Sequence, residues 1–399
     1  MLVTKLLLRD LQVVGAVALS RDGAIQLFTA RSTVLATGGV GQLFSRTDNS
    51  AGSTGDGYAL AYEAGLPLRD MEFMQFYPLA TGPGSPGIFY EILVVGAGAK
   101  LLNSEGEDIL ARHGLTDAMS LTRDRVSQVV MCEVLEGRGC DGGVVLDLSA
   151  IPGTVLDEVA LLLPKGSNSG KMHVRVAPTA HTHLGGVIIN ERTETSLEGL
   201  YAVGEVCGGV HGANRLSGNA LSDLFVFGAI AGAEAAKKAA GSPAPGMPDE
   251  LAAAECRRLE SLVGPSGRDA RTLRSELRRI MWQQAGVIRS EEPLREALGE
   301  IERLRGCLPA LRAEAGQALQ YLLKTHNLFL CAEMLCRAAL TRTESRGAHC
   351  RSDYPEPNDR DWLRSIVIRK ENERPVLSYR PVEFPYFSPT QERGAPRQS

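Results

Sequence analysis

The sequence predicts an α/β protein with a helical C-terminal part, and three stretches carry that prediction. In the first, apolar Leu200-Tyr201-Ala202-Val203 runs into GEVCGGVHGANRLSGN and then into the small-residue segment ALSDLFVFGAIAG. That order reads as a strand, a flexible polar loop and a closely packed helix. In the second, Thr33-Val34-Leu35-Ala36 forms a short buried strand before Thr37-Gly38-Gly39, and AGSTGDGYALAYEAG (51–65) adds a Gly-rich loop with Asp56 ahead of an amphipathic helix. In the third, Leu273, Leu277, Ile280 and Met281 recur at helical spacing. Leu294, Ala297, Leu298, Ile301 and Leu304 do the same, with Ser290 placed to cap them.

Length and composition narrow the class. A chain of 399 residues is long enough for two or three domains. A net charge of -4 gives no electrostatic case for nucleic acid. No apolar run reaches the roughly 18 residues needed to span a membrane. The opening MLVTKLLLRDLQVVGAVAL is broken by Lys5, Arg9, Asp10 and Gln12 and lacks a cleavage site, so it does not read as a signal peptide. The eight cysteines are dispersed without a CxxC pair, which argues against an iron–sulfur cluster or structural zinc in this chain. Dispersed thiols fit a reducing, cytoplasmic setting.

Taken in order, residues 1–38 alternate apolar and polar positions about a turn at Arg21-Asp22-Gly23, the pattern of antiparallel strands. The glycine loops after residues 36 and 51 let backbone approach a phosphate or sugar closely, and each reads equally as a plain βα turn. The loop at 204–218 presents backbone N–H groups at a helix N-terminus, where negative charge is favoured. Its Arg215 is suited to a bidentate grip on a carboxylate, and an ordinary Gly-rich connection with a surface arginine reads as well. The helix after it is expected to pack through Gly228, Ala229, Ala231 and Gly232. Arg123 is flanked by Asp124 and Arg125, which on residues alone reads first as a solvated charged helix start. His181 and His183 share one strand face, as core or loop histidines or as a metal pair with no third ligand at suitable spacing. Pro243, Pro245 and Pro248 mark a linker into the helical region, and the last forty residues alternate charge and proline like a tail that wraps the surface.

TVLATGGVGQLFSRTDNSAGSTGDGYALAYEAGLPLRDMEFMQFYP (33–78) resembles the flavoprotein subunits of fumarate reductase and succinate dehydrogenase, a family that includes L-aspartate oxidase. LTRDRVSQVV (121–130), PTAHTHLGGV (178–187), residues 199–232, and IMWQQAGVIRSEEPLREAL (280–298) with TRTESRGAHCRSDYPEPNDRDWL (341–363) agree with it, in the family's order. The resemblance implies a glutathione-reductase-like FAD-binding domain in two pieces, 1–70 and 184–241. It implies an inserted α+β capping domain at 71–183, a C-terminal helical bundle at 242–358 and an extended tail at 359–399. The implied reaction is hydride exchange between flavin and a carbon next to a carboxylate. Arg123 in TRDRVSQ matches the family's proton-donating arginine, and Glu91 the carboxylate that relays protons to it. A guanidinium hardly deprotonates alone, so that role needs clustered cations and the relay. His181 in PTAHTHLGG and Arg215 in HGANRLSGN match substrate-carboxylate ligands. Thr37, Gly38, Gly39, Asp56 in TGDG, Glu205 in VGEV, and Asn219, Ala220 and Leu221 in GNALSD match FAD contacts. No metal site is implied.

Departures from the family pattern bear on substrate. Family members read QFHP where this chain has Gln75-Phe76-Tyr77-Pro78, and TEGxRGEGG where it has residues 90–98, YEILVVGAG. Tyr77 and Tyr90 therefore stand at two dicarboxylate-binding positions, and Val94 replaces the relay's outer arginine. Losing such a partner weakens a buried second carboxylate by about 1–3 kcal/mol. The expected substrate is an enoate with one carboxylate and a larger or less polar second end. Neither a GxGxxG fingerprint nor an HSxxAQGG-like segment for covalent flavin is present, and GVGQLF (39–44) lacks the third glycine. The sequence thus begins about 130 residues into the family pattern. A misassigned start or a separate dinucleotide-binding polypeptide is preferred to a degenerate fragment, because an absent half would leave strand faces uncovered. With no cysteine cluster to conduct electrons, the expected partner is a separate iron–sulfur or other electron-transfer subunit, or else oxygen or a soluble carrier. The setting is cytoplasmic, peripheral to a membrane through that partner, and homo-oligomerisation stays open. The alternative is a non-catalytic or truncated subunit needing a separate dinucleotide-binding chain.

Overall fold

The computed structural model describes residues 1–81, 87–89, 94, 96–154, 173–246, 249–265 and 269–384, so Tyr90 and Glu91 lie outside the described residues. The N-terminal alternation folds into an antiparallel meander of β1 (Leu2–Arg9), β2 (Gln12–Leu19) and β3 (Ile25–Thr29). Leu2, Leu6, Val13, Val17 and Leu19 are buried in the main core. Asp10 and Leu11 turn the first hairpin with φ of 47° and 66°, a two-residue turn of the primed type made without glycine. Gly23 supplies the positive φ of the second turn.

β4 (Thr33–Leu35) pairs in parallel with a strand 167 positions later, β11 (Leu200–Ala202), bringing the glycines after each strand to the same edge. Between them in sequence lies α1 (Asp56–Glu63), entered from Gly55 in the left-handed region. Residues Gly57 to Tyr62 are all buried, so α1 is enclosed on every side rather than amphipathic. β5 (Leu68–Arg69) follows.

The cap is a four-stranded antiparallel sheet in the order β6 (Met74–Ala80), β9 (His173–His183), β8 (Val144–Asp147), β7 (Lys100–Leu102). With α2 (Ile109–Arg112) and α3 (Arg123–Leu135) it encloses a separate apolar cluster around Tyr77, Leu101, Val130, Leu146 and Val176, with Val94 packed against it. β10 (Gly186–Val187) returns to β5.

α4 (Asn219–Ala240) lies on the β4–β11 pair through Ala231 and Ala235, which meet Tyr201 and Val203. This corrects the expected packing: Ala229 is exposed, and a side chain at Gly228 or Gly232 would meet nothing within 4 Å. In the first half, Asp223 faces His211 and Leu224 reaches Gly204, while Leu221, Phe225 and Val226 are exposed. The helical region contains α5 (Asp249–Ser261), α6 (Ala270–Gln284), α7 (Glu291–Arg305) and α8 (Gln317–Thr341), with short β12 (Ile288–Arg289) and β13 (Cys350–Arg351). Ser290 takes the N-cap position of α7 without a side-chain cap bond, and Asp353 Oδ2 accepts the Glu291 N–H instead.

The expectation of a surface-wrapping tail is also corrected. After α9 (Asp359–Trp362), β14 (Arg364–Glu371) and β15 (Arg374–Pro381) form a hairpin that completes the sheet β10-β5-β14-β15, with Ile366 and Ile368 fully buried. Charges at Arg364, Arg369, Lys370 and Glu371 hide the apolar core of β14 from a compositional reading.

A buried polar junction locks the first part of the chain to the last. Arg342 donates through Nε to Glu72 Oε1 at 2.6 Å and through Nη1 to Glu344 Oε1 at 3.0 Å. Phe73 and Trp362 flank its guanidinium at 5.0 and 5.2 Å. Arg289, 1% exposed, donates to Glu72 O at 2.7 Å and to His349 Nδ1 at 2.9 Å, and burial pushes its guanidinium down to about 10. Burial and the neighbouring Arg289 hold His349 neutral, well below the usual histidine range.

Candidate active site

Arg123 is the first residue of α3, and the helix start it belongs to is tied down rather than solvated. Arg123 Nη2 donates to Ser217 Oγ at 2.9 Å, and Asp124 Oδ1 accepts from Asn214 Nδ2 at 2.7 Å. Gln75 Nε2 donates in turn to Asn214 Oδ1 and to Arg215 O, both at 2.8 Å. The cap helix, strand β6 and the loop carrying Arg215 therefore form one hydrogen-bonded unit, with Arg215 only 5% exposed. Of the three charges at the helix start, Arg125 alone is exposed.

Tyr77 sits inside this unit. Its hydroxyl donates to Phe89 O at 3.0 Å, the Arg123 guanidinium lies 4.7 Å from its ring centroid, and the His181 ring lies 5.3 Å away. The pairing of β6 with β9, Tyr77 opposite Thr179 and Gln75 opposite Thr182, sets the two rings near each other. His181 Nδ1 meets Asp48 Oδ2 at 2.6 Å. His183, on the same strand, is a core histidine and not a metal ligand. Its ring nitrogens meet Gly185 O and Met71 O at 3.0 Å, and burial lowers its pKa.

Glu205 lies behind the first glycine loop, where a Cβ at Gly39 would run into its carboxylate. Enclosure by the protein pushes its carboxyl up to about 7, opposed by the His183 N–H it accepts at 2.8 Å and by the charge of Arg215. Thr37 packs against α1, since a Cβ at Gly57 would meet its hydroxyl. Asp56 Oδ1 accepts from Thr54 Oγ1 and from Asn327 Nδ2, each at 2.9 Å, so this carboxylate ties α1 to α8. Asn219, Ala220 and Leu221 open α4 after Gly218 in the left-handed region. Around them Leu216, Leu221, Leu224, Phe225 and Val226 are exposed, between 49% and 77%.

Arg123, Tyr77, His181 and Arg215 thus converge, while Tyr90 and Glu91 fall outside the described residues. Sequence reasoning missed Asp48, Gln75, Asn214 and Ser217. All four lie inside quoted motifs; Asn214 and Ser217 lie beside the motif arginine Arg215, the available signal, whereas Asp48 and Gln75 carry no such local mark. The residues also fit a flavin dinucleotide. Its sugar hydroxyls can pair with an enclosed carboxylate such as Glu205, its phosphates suit helix N-terminal N–H groups, and its flat ring suits open apolar side chains. Asp223 Oδ1, buried on α4, has no hydrogen-bond partner among the described residues.

A split sheet domain with a capping insertion over clustered cations defines the class as a flavoprotein oxidoreductase. The chain belongs to the fumarate reductase/succinate dehydrogenase flavoprotein family: residues 1–221 match its FAD binding domain and residues 274–394 the fumarate reductase flavoprotein C-terminal domain. It is 39% identical over 387 residues to a CoM/CoB fumarate reductase subunit from Methanothermobacter marburgensis, covering 93% of this chain and 70% of that one. It is 34% identical over 411 residues to the succinate dehydrogenase flavoprotein subunit of Rickettsia conorii, covering 94% and 68%. The FrdA chain of E. coli quinol fumarate reductase superimposes with a TM-score of 0.87 at 31% identity, covering 97% of this chain and 72% of that chain. FAD is the family's cofactor, and the family's enzymes act on CH–CH groups. No helix among the described residues is long and apolar enough to cross a membrane.

Proposed function

We propose that the chain exchanges hydride between FAD and the C–C bond next to a single carboxylate, in a substrate whose other end is apolar. The observation that carries this reading is Tyr77. Its buried ring lies beside both Arg123 and His181, and its hydroxyl is already taken by Phe89 O, so it offers bulk rather than charge to a second carboxylate.

Bound FAD supplies the hydride donor and acceptor. Glu205, the Thr37-Gly38-Gly39 turn and the first turn of α4 at Asn219, Ala220 and Leu221 hold it, whereas Asp56 acts through the α1–α8 contact. Arg215 and His181 grip the substrate carboxylate, and Arg123 delivers the proton, restored through Glu91. Ser217 and the Tyr77 ring hold the Arg123 guanidinium in place for that transfer. Electrons pass to or from a separate iron–sulfur or other carrier chain, which would also account for peripheral attachment to a membrane.

The test is a steady-state assay of the flavin-loaded protein with an artificial electron donor, comparing fumarate with mono-carboxylate enoates. At least a tenfold preference in kcat/KM for the latter is expected, and efficient fumarate reduction overturns the substrate reading. Arg123→Gln is expected to lower kcat by about 10²–10⁴-fold, the range for losing a positioned proton donor.

A second reading draws on the exposed apolar first half of α4 and on the β4–β11 pair, a parallel sheet of only two described strands. Parallel sheets are ordinarily covered on both faces, so flavin loading by this chain requires a further dinucleotide-binding polypeptide. Expressed alone, a yellow protein with flavin absorbance supports the first reading and a colourless one the second.

A further inference from the structure

The contact between Asp48 and His181 has a structure around it that a chance surface ion pair lacks. Residues 46–49 are zipped onto β9. The Ala180 N–H donates to Arg46 O at 3.0 Å, Thr47 Oγ1 donates to Ala180 O at 2.9 Å, and the Asp48 N–H reaches the same carbonyl at 3.3 Å. Asn49 Nδ2 donates both to Asp48 Oδ1, at 2.8 Å, and to His181 O, at 2.7 Å. Each carboxylate oxygen therefore has an assigned partner: Oδ1 takes Asn49 and Oδ2 takes His181 Nδ1. The Asp48 side chain is 7% exposed. The two residues are 133 positions apart, so the loop has been built to bring this carboxylate to this ring.

The chemistry of the ring gives that arrangement a purpose. With Nδ1 committed to Asp48, Nε2 is the nitrogen left for a ligand. A neutral imidazole whose proton sits on Nδ1 can only accept at Nε2, and a carboxylate ligand can only accept as well. Recognition of a carboxylate by His181 therefore requires the imidazolium, with a proton on each nitrogen. An opposite charge within a few ångströms favours that charged form. A carboxylate behind a working histidine also fixes its orientation. Other groups act on the pair from the packed elements: the Tyr77 ring from β6 lies tilted against His181, Arg123 covers Tyr77 from α3, and Glu205 interacts with Asp48, Arg215 and His211. Arg123 and Arg215 oppose a further positive charge, which makes the Asp48 countercharge necessary.

We propose that Asp48 is a positioning residue for carboxylate recognition: it holds His181 by Nδ1 and supplies the countercharge that lets Nε2 donate to the bound carboxylate. The ligand class rests on the reading under Proposed function, whereas the tautomer of His181 can be read without turnover.

The test uses the full chain labelled at its seven histidines, with the His181 signal assigned by its loss in His181→Gln. In the wild-type protein the neutral ring is expected as the Nδ1–H tautomer. In Asp48→Asn, which keeps the shape and removes the charge, the neutral His181 ring is expected to lose its preference for the Nδ1–H tautomer. Propionate binding at pH 7, measured by calorimetry, is expected to weaken at least tenfold, and Asp48→Glu is expected to restore part of both. An Nε2–H tautomer in the wild-type ring overturns the proposal without any variant. An unchanged tautomer balance in Asp48→Asn overturns it too, as does propionate affinity that neither Asp48→Asn nor His181→Gln alters. Absence of turnover with every enoate, alongside a changed tautomer balance and weakened propionate binding, sinks the reaction assigned to the site and leaves the Asp48 pairing standing.

Discussion

The cap side of the site and the first half of α4 both adjoin the loop that carries Arg215, and they are built differently. On the cap side, Gln75, Asn214, Asp124, Asp48 and His181 are each paired with a neighbour at 2.6–2.8 Å. On the α4 side, Leu221, Phe225 and Val226 project largely into the open among the described residues, and Leu224 is only half covered. Buried polar groups are costly to leave unmatched, so the closed side contributes to the stability of this chain on its own. Apolar side chains contribute only when something removes them from water, so the open side gains its value from flavin or further polypeptide.

This contrast can be broken by substitution. The largest effect is expected where closure is most complete, in the polar junction that continues the cap side into the helical region. Arg342→Met strands the fully buried Glu72, while Glu344 keeps its bonds from Arg346, and should cost about 3–5 kcal/mol in a denaturant titration. A cost below about 1 kcal/mol, the worth of an exposed pair, would show that the junction is not needed for closure.

Glu205 comes next, because it lies between the two sides. Its folded pKa of about 7 exceeds the ordinary carboxyl value of 4.5, so the folded state binds more protons between those values. Stability from this group is then fully present below pH 4.5 and is lost as pH rises through 7. At about 1.4 kcal/mol per unit the ceiling is about 3 kcal/mol. In the flavin-free chain, Glu205→Gln should therefore be more stable than wild type at pH 8 and no more stable at pH 4.5. Equal stability at both pH values would place Glu205 in contact with water.

Tyr77→His sharpens the cap side specifically. It removes the ring beside Arg123 and restores the residue that the family pattern carries there. The expected gain in kcat/KM for fumarate is about tenfold, or about 1.4 kcal/mol, at a small loss of stability visible in Tm. The smallest effect belongs to the open side: Phe225→Ser should change the stability of the isolated chain by no more than about 0.5 kcal/mol. It should, however, reduce flavin loading or aggregation.

How much of this was legible in the sequence follows from range. Periodicity over a dozen residues exposed the β1–β3 meander and the amphipathic α6 and α7, since one element's burial pattern is written in that element alone. α1 was misjudged as amphipathic because its outer face is covered by α8, which lies far along the chain and reaches Asp56 through Asn327. Gly228 and Gly232 looked like close-packing residues because glycine marks absent side chains, not the presence of a partner. At the site, Arg123, His181 and Arg215 were legible through their motifs. Asp48 was not, because its meaning depends on β9, and no local pattern records which strand a loop will meet.

β14 has one consequence that concerns time rather than energy. It is an inner strand of its sheet, pairing Ile368 with Leu68 and Val367 with Arg69, far earlier in the chain. At the ribosome's pace, about 15–60 s separate the emergence of those two partners. Throughout that interval β5 presents an unpaired edge, the kind of template that recruits strands from other chains. A nascent chain stalled before residue 364 would already carry every motif of the site and yet be open to the wrong partner. Its folding yield should therefore depend on what shelters β5 until the hairpin arrives.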